Sequence, residues 1–419
     1  MTRFLYALAW WIATPFVLLR LAWRSHRQPG YLENLGERFG SYPPAKPGPC
    51  IWIHAVSVGE TRAAAPLVEE LQARKPGHRI LVTHMTPTGR AAGRDLFGDR
   101  VERAWLPYDL GFAARRFFAH YRPELGIVLE TEIWPRLLEE AAHAGIPVVL
   151  ANGRLSARSA RRYARAPGLT RWAFSNLAGV AAQTDEDAKR FAGIGARAPV
   201  VTGNVKFDLA IPDAMIERGE RFRERFGARR TVWVVGSTRD GEEALILDAF
   251  ARAALPRDVL LVIVPRHPQR FDEVARLAES RGFTIARRSE EAAVDASTHV
   301  AIGDSMGEML AYYFAADVVI IGGSFLPFGG QNLIEACALG RPVIVGPHTY
   351  NFSEAAESAI AAGAALRVGD AAEALATAAR LDAPERREMG ARARAFVEEH
   401  RGAVSRLVDW IEETAAAGR

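Results

Sequence analysis

Cysteine is almost missing from this chain: Cys50 and Cys337 are the only two in 419 residues. They lie far apart and outside any CxxC or Cys/His pattern, which argues against a disulfide framework or a zinc site and fits a reducing compartment. Both read as small buried apolar residues. There is no Walker A loop and no GxGxxG fingerprint, so ATP and NAD lose their main support. No DxD stands in a suitable loop, no His/Asp/Glu cluster has metal-ligand spacing and no GxSxG elbow is expected, so no metal is expected and hydrolase or metal-dependent chemistry stays a minor reading. Neither charge is in large excess: 53 Lys and Arg face 49 Asp and Glu, a formal +4 with a pI near 9.2. That mild basicity does not select nucleic acid, which is not expected as a partner. It suits an anionic membrane or a phosphorylated substrate equally well.

What the chain does have begins at its amino end. Residues 4–19, FLYALAWWIATPFVLL, carry no charge, and the apolar run resumes past Arg20. The uncharged part is slightly shorter than the ~20 residues of a spanning helix. Trp10, Trp11 and Trp23 are typical of the membrane interface, and Arg20 can snorkel to the headgroups. A cleaved signal peptide is the competing reading, but no small-x-small site follows the run. Arg20, Arg24 and Arg27 follow it, against Arg3 before it, so the positive-inside rule puts the body in the cytoplasm. Residues 1–27 are therefore expected to be a single anchor on the inner membrane, spanning or monotopic.

Beyond the turn-rich stretch 40–49, short β-branched runs alternate with helical periods, at 50–56, 78–83, 125–129, 148–151, 179–182 and 200–202. The alternation restarts at 231–235, 259–264, 300–302, 318–321 and 342–345. Runs of this kind, buried on both faces, predict parallel sheets of βαβ units. The expected architecture is α/β, with two doubly wound Rossmann-like domains facing a central cleft. Residues 28–207 would form the first domain, 208–230 a linker and helix, and 231–395 the second. Val397, Val404, Val408 and Ile411 at helical spacing predict one amphipathic helix within 396–419, packing back across the domains.

In open α/β sheets ligands bind at the carboxyl ends of strands, so each strand-to-helix junction is a candidate site. After the first run, Ser57 and Gly59 suit a tight turn and Glu60 would open the next helix, either as a capping acid or as a general base for an attacking hydroxyl. Glu130 and Glu132 end another strand and are costly to bury unpartnered. Lys206 follows a third, where it could neutralise an anion or simply be solvated. In the second half, residues 236–243 (GSTRDGEE) resemble an anion-binding turn. Pro265, Arg266 and His267 form a proline-stiffened cationic loop, and Met306, Gly307 and Glu308 follow another strand. A glycine-rich loop from Gly322 leads to Asn332, Leu333, Ile334 and Glu335, where backbone N–H groups could meet a phosphate and an acid a sugar hydroxyl. Arg154, Arg158, Arg161 and Arg165, with Arg162, predict a cationic stripe if this stretch is helical, ended by Pro167 and Gly168. A solvated face and a contact with anionic headgroups are both open.

Taken in order, HAVSVGE, ETEIWP, NGRLS, GNVKFD, GSTRDGEE, VPRHPQRF, GDSMGEM and GGSFLPFGGQNLIEA resemble the bacterial transferases that attach 3-deoxy-D-manno-octulosonic acid (Kdo) to lipid A precursors in lipopolysaccharide assembly. The likeness covers nearly the whole chain. It implies a GT-B fold, CMP-Kdo as co-substrate, an acylated and phosphorylated glucosamine disaccharide as acceptor, and inversion without metal or cofactor. It places Glu60 as the base, Glu132, Lys206 and Glu130 as polar helpers, and Pro265, Arg266, His267, Met306, Gly307, Glu308 and Asn332 through Glu335 in the CMP-binding segments. Another nucleotide-sugar enzyme of this fold, a UDP-sugar transferase or epimerase, is the nearest alternative. A non-catalytic membrane-anchored binding protein is the more remote one.

Overall fold

The computed structural model describes residues 2–26, 28–253, 255–256, 258–291 and 293–417. Arg27, one of the cations counted after the apolar run, lies outside the described residues. The chain divides into two compact units, Met1–Asp208 with Arg401–Arg419, and Leu209–His400.

The first unit holds a seven-stranded parallel sheet of β1 (Cys50–His54), β2 (Arg79–His84), β3 (Glu102–Trp105), β4 (Leu125–Leu129), β5 (Val148–Gly153), β6 (Gly179–Ala182) and β7 (Val200–Val201), in the order β3-β2-β1-β4-β5-β6-β7. Central strands β1 and β4 are buried at every position, as continuous apolar runs between two helical layers must be. The second unit repeats the plan with β8 (Thr231–Thr238), β9 (Val259–Pro265), β10 (Ile285–Arg287), β11 (Val300–Ile302), β12 (Val318–Ile321), β13 (Val343–Val345) and β14 (Ala365–Arg367), ordered β10-β11-β9-β8-β12-β13-β14. Strands β3, β10 and β14, which the sequence pattern does not disclose, are edge strands. Each carries arginine or glutamate and is short, so no apolar run betrays it.

Two elements differ from expectation. Val397 belongs to the helix Ala383–His400 of the second unit, whereas Val404, Val408 and Ile411 lie on a separate helix, Ala403–Ala417, in the first. The break falls at Gly402, whose φ of 82° glycine adopts without a Cβ penalty. Asp208 marks the same place from the other chain segment. Its carboxylate accepts from the backbone N–H groups of Gly402 (2.6 Å) and Val404 (2.5 Å), capping the returning helix from 194 residues away. Within the charged 208–230 stretch, the helix Asp213–Phe226 buries Phe222 and Phe226 in the second unit. Gly219 there lies so close to Phe314 that a Cβ would sit 2.6 Å from its ring.

The amino-terminal helix α1 (Thr2–Ser25) is long and apolar enough to cross a membrane. One face is seated on the first unit: Leu21 joins Tyr108, Leu110 and Ala113, with Trp10 and Val17 packed beside them.

Candidate functional site

Both sheets reverse their strand order at one point, between β1 and β4 in the first unit and between β8 and β12 in the second. The loops leaving those strands flank the crevice where such sheets bind ligands.

In the first unit β1 feeds α2 (Val58–Ala63). Ser57 is its N-cap, and its Oγ accepts from the Glu60 N–H at 3.4 Å. Glu60 answers with both carboxylate oxygens, accepting from the Ser57 hydroxyl at 3.0 Å and from the Val56 N–H at 2.7 Å. The capping role that the sequence allowed is thus real. Burial, with lesser help from the charges of Glu130 and Glu132, nevertheless pushes the Glu60 carboxyl up to about 7, against the hydrogen bonds that oppose it. A carboxyl titrating there is poised to accept a proton at neutral pH.

The loop after β4 supplies the neighbours. Glu130 adopts a left-handed backbone, φ 58°, which costs a non-glycine residue energy and persists only where the surroundings impose it. Its Oε1 accepts from Lys206 Nζ at 2.7 Å. Burial and then the Glu130 charge raise the Glu132 carboxyl. Buried Asn152, also left-handed (φ 52°), accepts at Oδ1 from the Val205 N–H (3.2 Å) and so fixes the turn that carries Lys206. Glu60, Glu130, Glu132 and Lys206 therefore gather at one switch point.

In the second unit β8 runs through Thr238, and Ser237 within it is left-handed, φ 60°, where the pairing with β9 shifts register. Glu242, fully buried, accepts from the N–H groups of Arg239 (2.9 Å), Gly323 (2.6 Å) and Phe325 (2.9 Å). Those donors, expected to face a phosphate, instead hold the turn and the glycine loop together. Gly330 and Gln331 likewise donate back to Gly323 and Gly322 carbonyls. Cationic side chains remain as the anion-attracting feature. Burial first, then the charges of Arg239, Arg266 and Arg270, lower the His267 pKa, so four basic groups share this corner. Pro265 ends β9, and the Arg266 N–H donates to the Thr238 carbonyl, linking both loops.

The remaining expected positions divide by accessibility. Asn332 donates to Glu335 Oε1 (3.1 Å) and accepts from the Ile334 N–H, which orients both polar side chains. Leu333 and Ile334 are core residues, 1 % and 0 % exposed, so any ligand contact from them would come through the backbone. Met306 is half exposed and Gly307 has φ 79° with open space at its Cβ position. Glu308 is buried and already bonded to Arg218 (2.7 Å), Arg288 (3.0 Å) and Ser305 (2.5 Å). Burial opposes its ionisation, but these partners outweigh it and its pKa is lowered. Its carboxylate holds the loop rather than facing an open site. Contrary to the expectation that no such pattern occurs, residues 303–307 (GDSMG) satisfy G-x-S-x-G. The Ser305 hydroxyl is bonded to Glu308 and Tyr312 at the start of a seven-residue helix, and neither partner is the histidine that a nucleophile elbow requires.

The arginine stripe needs correction. The helix spans Ala157–Ala164 behind the N-cap Ser156, so Arg154 lies in the preceding turn, and Arg165 is the C-cap. Pro167 opens a second helix, Pro167–Phe174, at the position where proline costs nothing. Arg158, Arg161, Arg162 and Arg165 are exposed. The sequence reading missed Asp109, which is buried and accepts from Tyr6, Arg136 and Leu137. No motif marks it, because its partners lie in distant segments.

Comparison with known proteins agrees with the ordered motifs. A family model described as 3-deoxy-D-manno-octulosonic-acid transferase (kdotransferase) matches residues 33–209. A 3-deoxy-D-manno-octulosonic acid transferase of Bordetella pertussis is 46% identical over 99% of each chain. One from Haemophilus influenzae is 39% identical over 98% of each. Among solved structures, Anabaena Alr3699/HepE in complex with UDP superposes at a TM-score of 0.61 with 15% identity, covering 88% of this chain and 100% of that one. UDP-GlcNAc 2-epimerase of Neisseria meningitidis gives 0.60 at 14% identity with the same coverage. At that identity the likeness establishes the fold, a GT-B arrangement of two Rossmann-like units, and no more.

Proposed function

Because the chain belongs to the 3-deoxy-D-manno-octulosonic acid transferase family, and is thus a glycosyltransferase, we propose that it moves Kdo from CMP-Kdo to an acylated, phosphorylated glucosamine disaccharide, inverting the anomeric carbon without metal or cofactor. The observation that carries this reading is Glu60, a carboxyl raised to about 7 at the switch point of the first unit, beside Glu130, Glu132 and Lys206. In the proposed step an acceptor hydroxyl attacks the anomeric carbon, Glu60 takes the hydroxyl proton, and the bond to the CMP phosphate oxygen breaks on the opposite face. A single displacement of this kind inverts the centre, by analogy with inverting glycosidases.

Lys206, held at 2.7 Å from Glu130, would place positive charge beside the attacked sugar, which is itself an acid. Glu132 would orient a substrate hydroxyl. In the second unit Arg266 and the cations around His267 would bind the departing phosphate, and Glu335, aligned by Asn332, the ribose. The exposed apolar face of α1 fits a membrane-resident acceptor.

The test is product analysis by mass spectrometry, with CMP-Kdo and a defined acylated acceptor in excess EDTA. The expected product gains Kdo at the parent rate. Activity restored only by added Mg²⁺ would sink the metal-free mechanism, and transfer from UDP-sugars but not CMP-Kdo would sink the donor assignment.

A further inference from the structure

A cavity of about 520 Å³ opens in the first unit beneath the first turns of α1, a size within the range that takes small ligands. Tyr6 comes from α1, Ile133 from the loop bearing Glu132, Arg162 and Tyr163 from the helix Ala157–Ala164, Leu169 from the helix Pro167–Phe174, and Ala166 from the junction between those two helices.

The α1 wall is fastened in place. Tyr6 donates to buried Asp109 at 2.6 Å and meets Trp172 edge to face at 5.7 Å. Arg3 pairs at 2.6 Å with Glu139, whose side chain is 4 % exposed. The opposite face of the same helix is bare: Phe4, Leu5, Leu8, Ile12, Phe16 and Leu19 are each 45 % to 71 % exposed. Of the large apolar side chains exposed among the described residues, more than half lie on α1. A helix bonded to the body along one side and apolar along the other has the form of an in-plane membrane helix.

We propose that this cavity receives one hydrocarbon chain of the lipid acceptor, entering from a bilayer in which α1 lies flat, with Arg162 at the rim meeting an anionic group of the same lipid. Position supports the assignment. Thr131 and Ile133, both lining the cavity, flank Glu132, so a chain seated there brings its headgroup to the acidic loop. Arg158, Arg161 and Arg165 extend the positive rim outward. The inference rests on the acylated acceptor of the proposed function.

The test uses the full chain in nanodiscs of phosphatidylethanolamine and phosphatidylglycerol. Ala166→Trp fills the cavity from an exposed position away from the acidic cluster, with Ala166→Ser as the control. Displacing two or three methylenes should raise KM for the acylated acceptor roughly ten- to a hundredfold. Turnover of a deacylated acceptor and the behaviour of Ala166→Ser should match the parent. Equal effects on both acceptors, or none, would overturn the proposal. A second arm is independent of activity. A tetradecyl phosphate with a terminal diazirine should label residues 131–135 and 163–173 in the parent and lose that labelling in Ala166→Trp. Label confined to the bare face of α1 overturns the cavity. If the parent transfers Kdo to neither acceptor, the functional reading fails while the labelling still decides what the cavity binds.

Discussion

Glu60 serves two ends at once, and the physical account of one constrains the other. Its carboxylate closes the amino end of α2 by accepting from Ser57 and Val56. Those bonds favour the ionised form, yet burial beside Glu130 and Glu132 prevails and holds the carboxyl near 7. Glu60→Gln is expected to lower turnover by ~10²–10⁴-fold with donor affinity unchanged, and to remove the limb of the rate profile that rises through pH 7. Near-parental turnover would exclude it as base. Stability should move the other way. The folded carboxyl keeps its proton to higher pH than the unfolded one, so between 4.5 and about 7 the folded state binds more protons and loses stability as pH rises. The glutamine variant escapes this loss, so the Tm of its first unit should exceed that of the parent's first unit at pH 8, by the equivalent of ~1–3 kcal/mol, with the gap closing toward pH 4.5. A gap independent of pH would show that the raised pKa is not what costs stability.

At the scale of elements, the short helix Ala157–Ala164 carries no buried residue, so nothing in the core explains its run of arginines. Three exposed cations on it and its C-cap, Arg158, Arg161 and Arg165, remain in register after Arg154 is set aside. Replacing all three by glutamine should raise KM for the lipid acceptor and flatten its salt dependence, since each basic residue near an anionic surface contributes ~1 kcal/mol that salt screens. CMP-Kdo affinity should stay at the parent value. Unchanged acceptor kinetics and vesicle binding would reduce the run to a solvated face.

For the molecule as a whole, the return of the chain to its first unit is the feature with most consequence. Leu407, Val408 and Ile411 on the helix Ala403–Ala417 are fully buried in the core built on β1, β4 and β5. Losing such side chains costs ~2–5 kcal/mol each, comparable to the whole stability of a domain. A chain ending at His400 should therefore lose the first unit's transition in calorimetry while the second unit, Leu209–His400, still unfolds cooperatively. Survival of both transitions would show that the helix is dispensable. Two units of this size are expected to melt separately, so a single Tm would not describe the parent.

The sequence by itself determined the class of fold and the ordered motifs. Central strands such as β4 and β12 are continuous apolar runs, because a strand covered on both faces has no polar alternation to hide it. It also disclosed Glu60, Glu130, Glu132, Lys206 and Arg266 as candidates, since each follows such a run. The edge strands β3, β10 and β14 were illegible because half-covered strands tolerate charge. Only tertiary structure decided the rest. It joined Glu130 to Lys206 across 76 residues and turned Glu242 from a turn residue into the clasp of the glycine loop. It also split the carboxyl-terminal helix at Gly402 and laid α1 against Asp109 and Glu139. Pairings of that kind depend on where the sheet's strand order brings distant segments together, and no local pattern of residues records it.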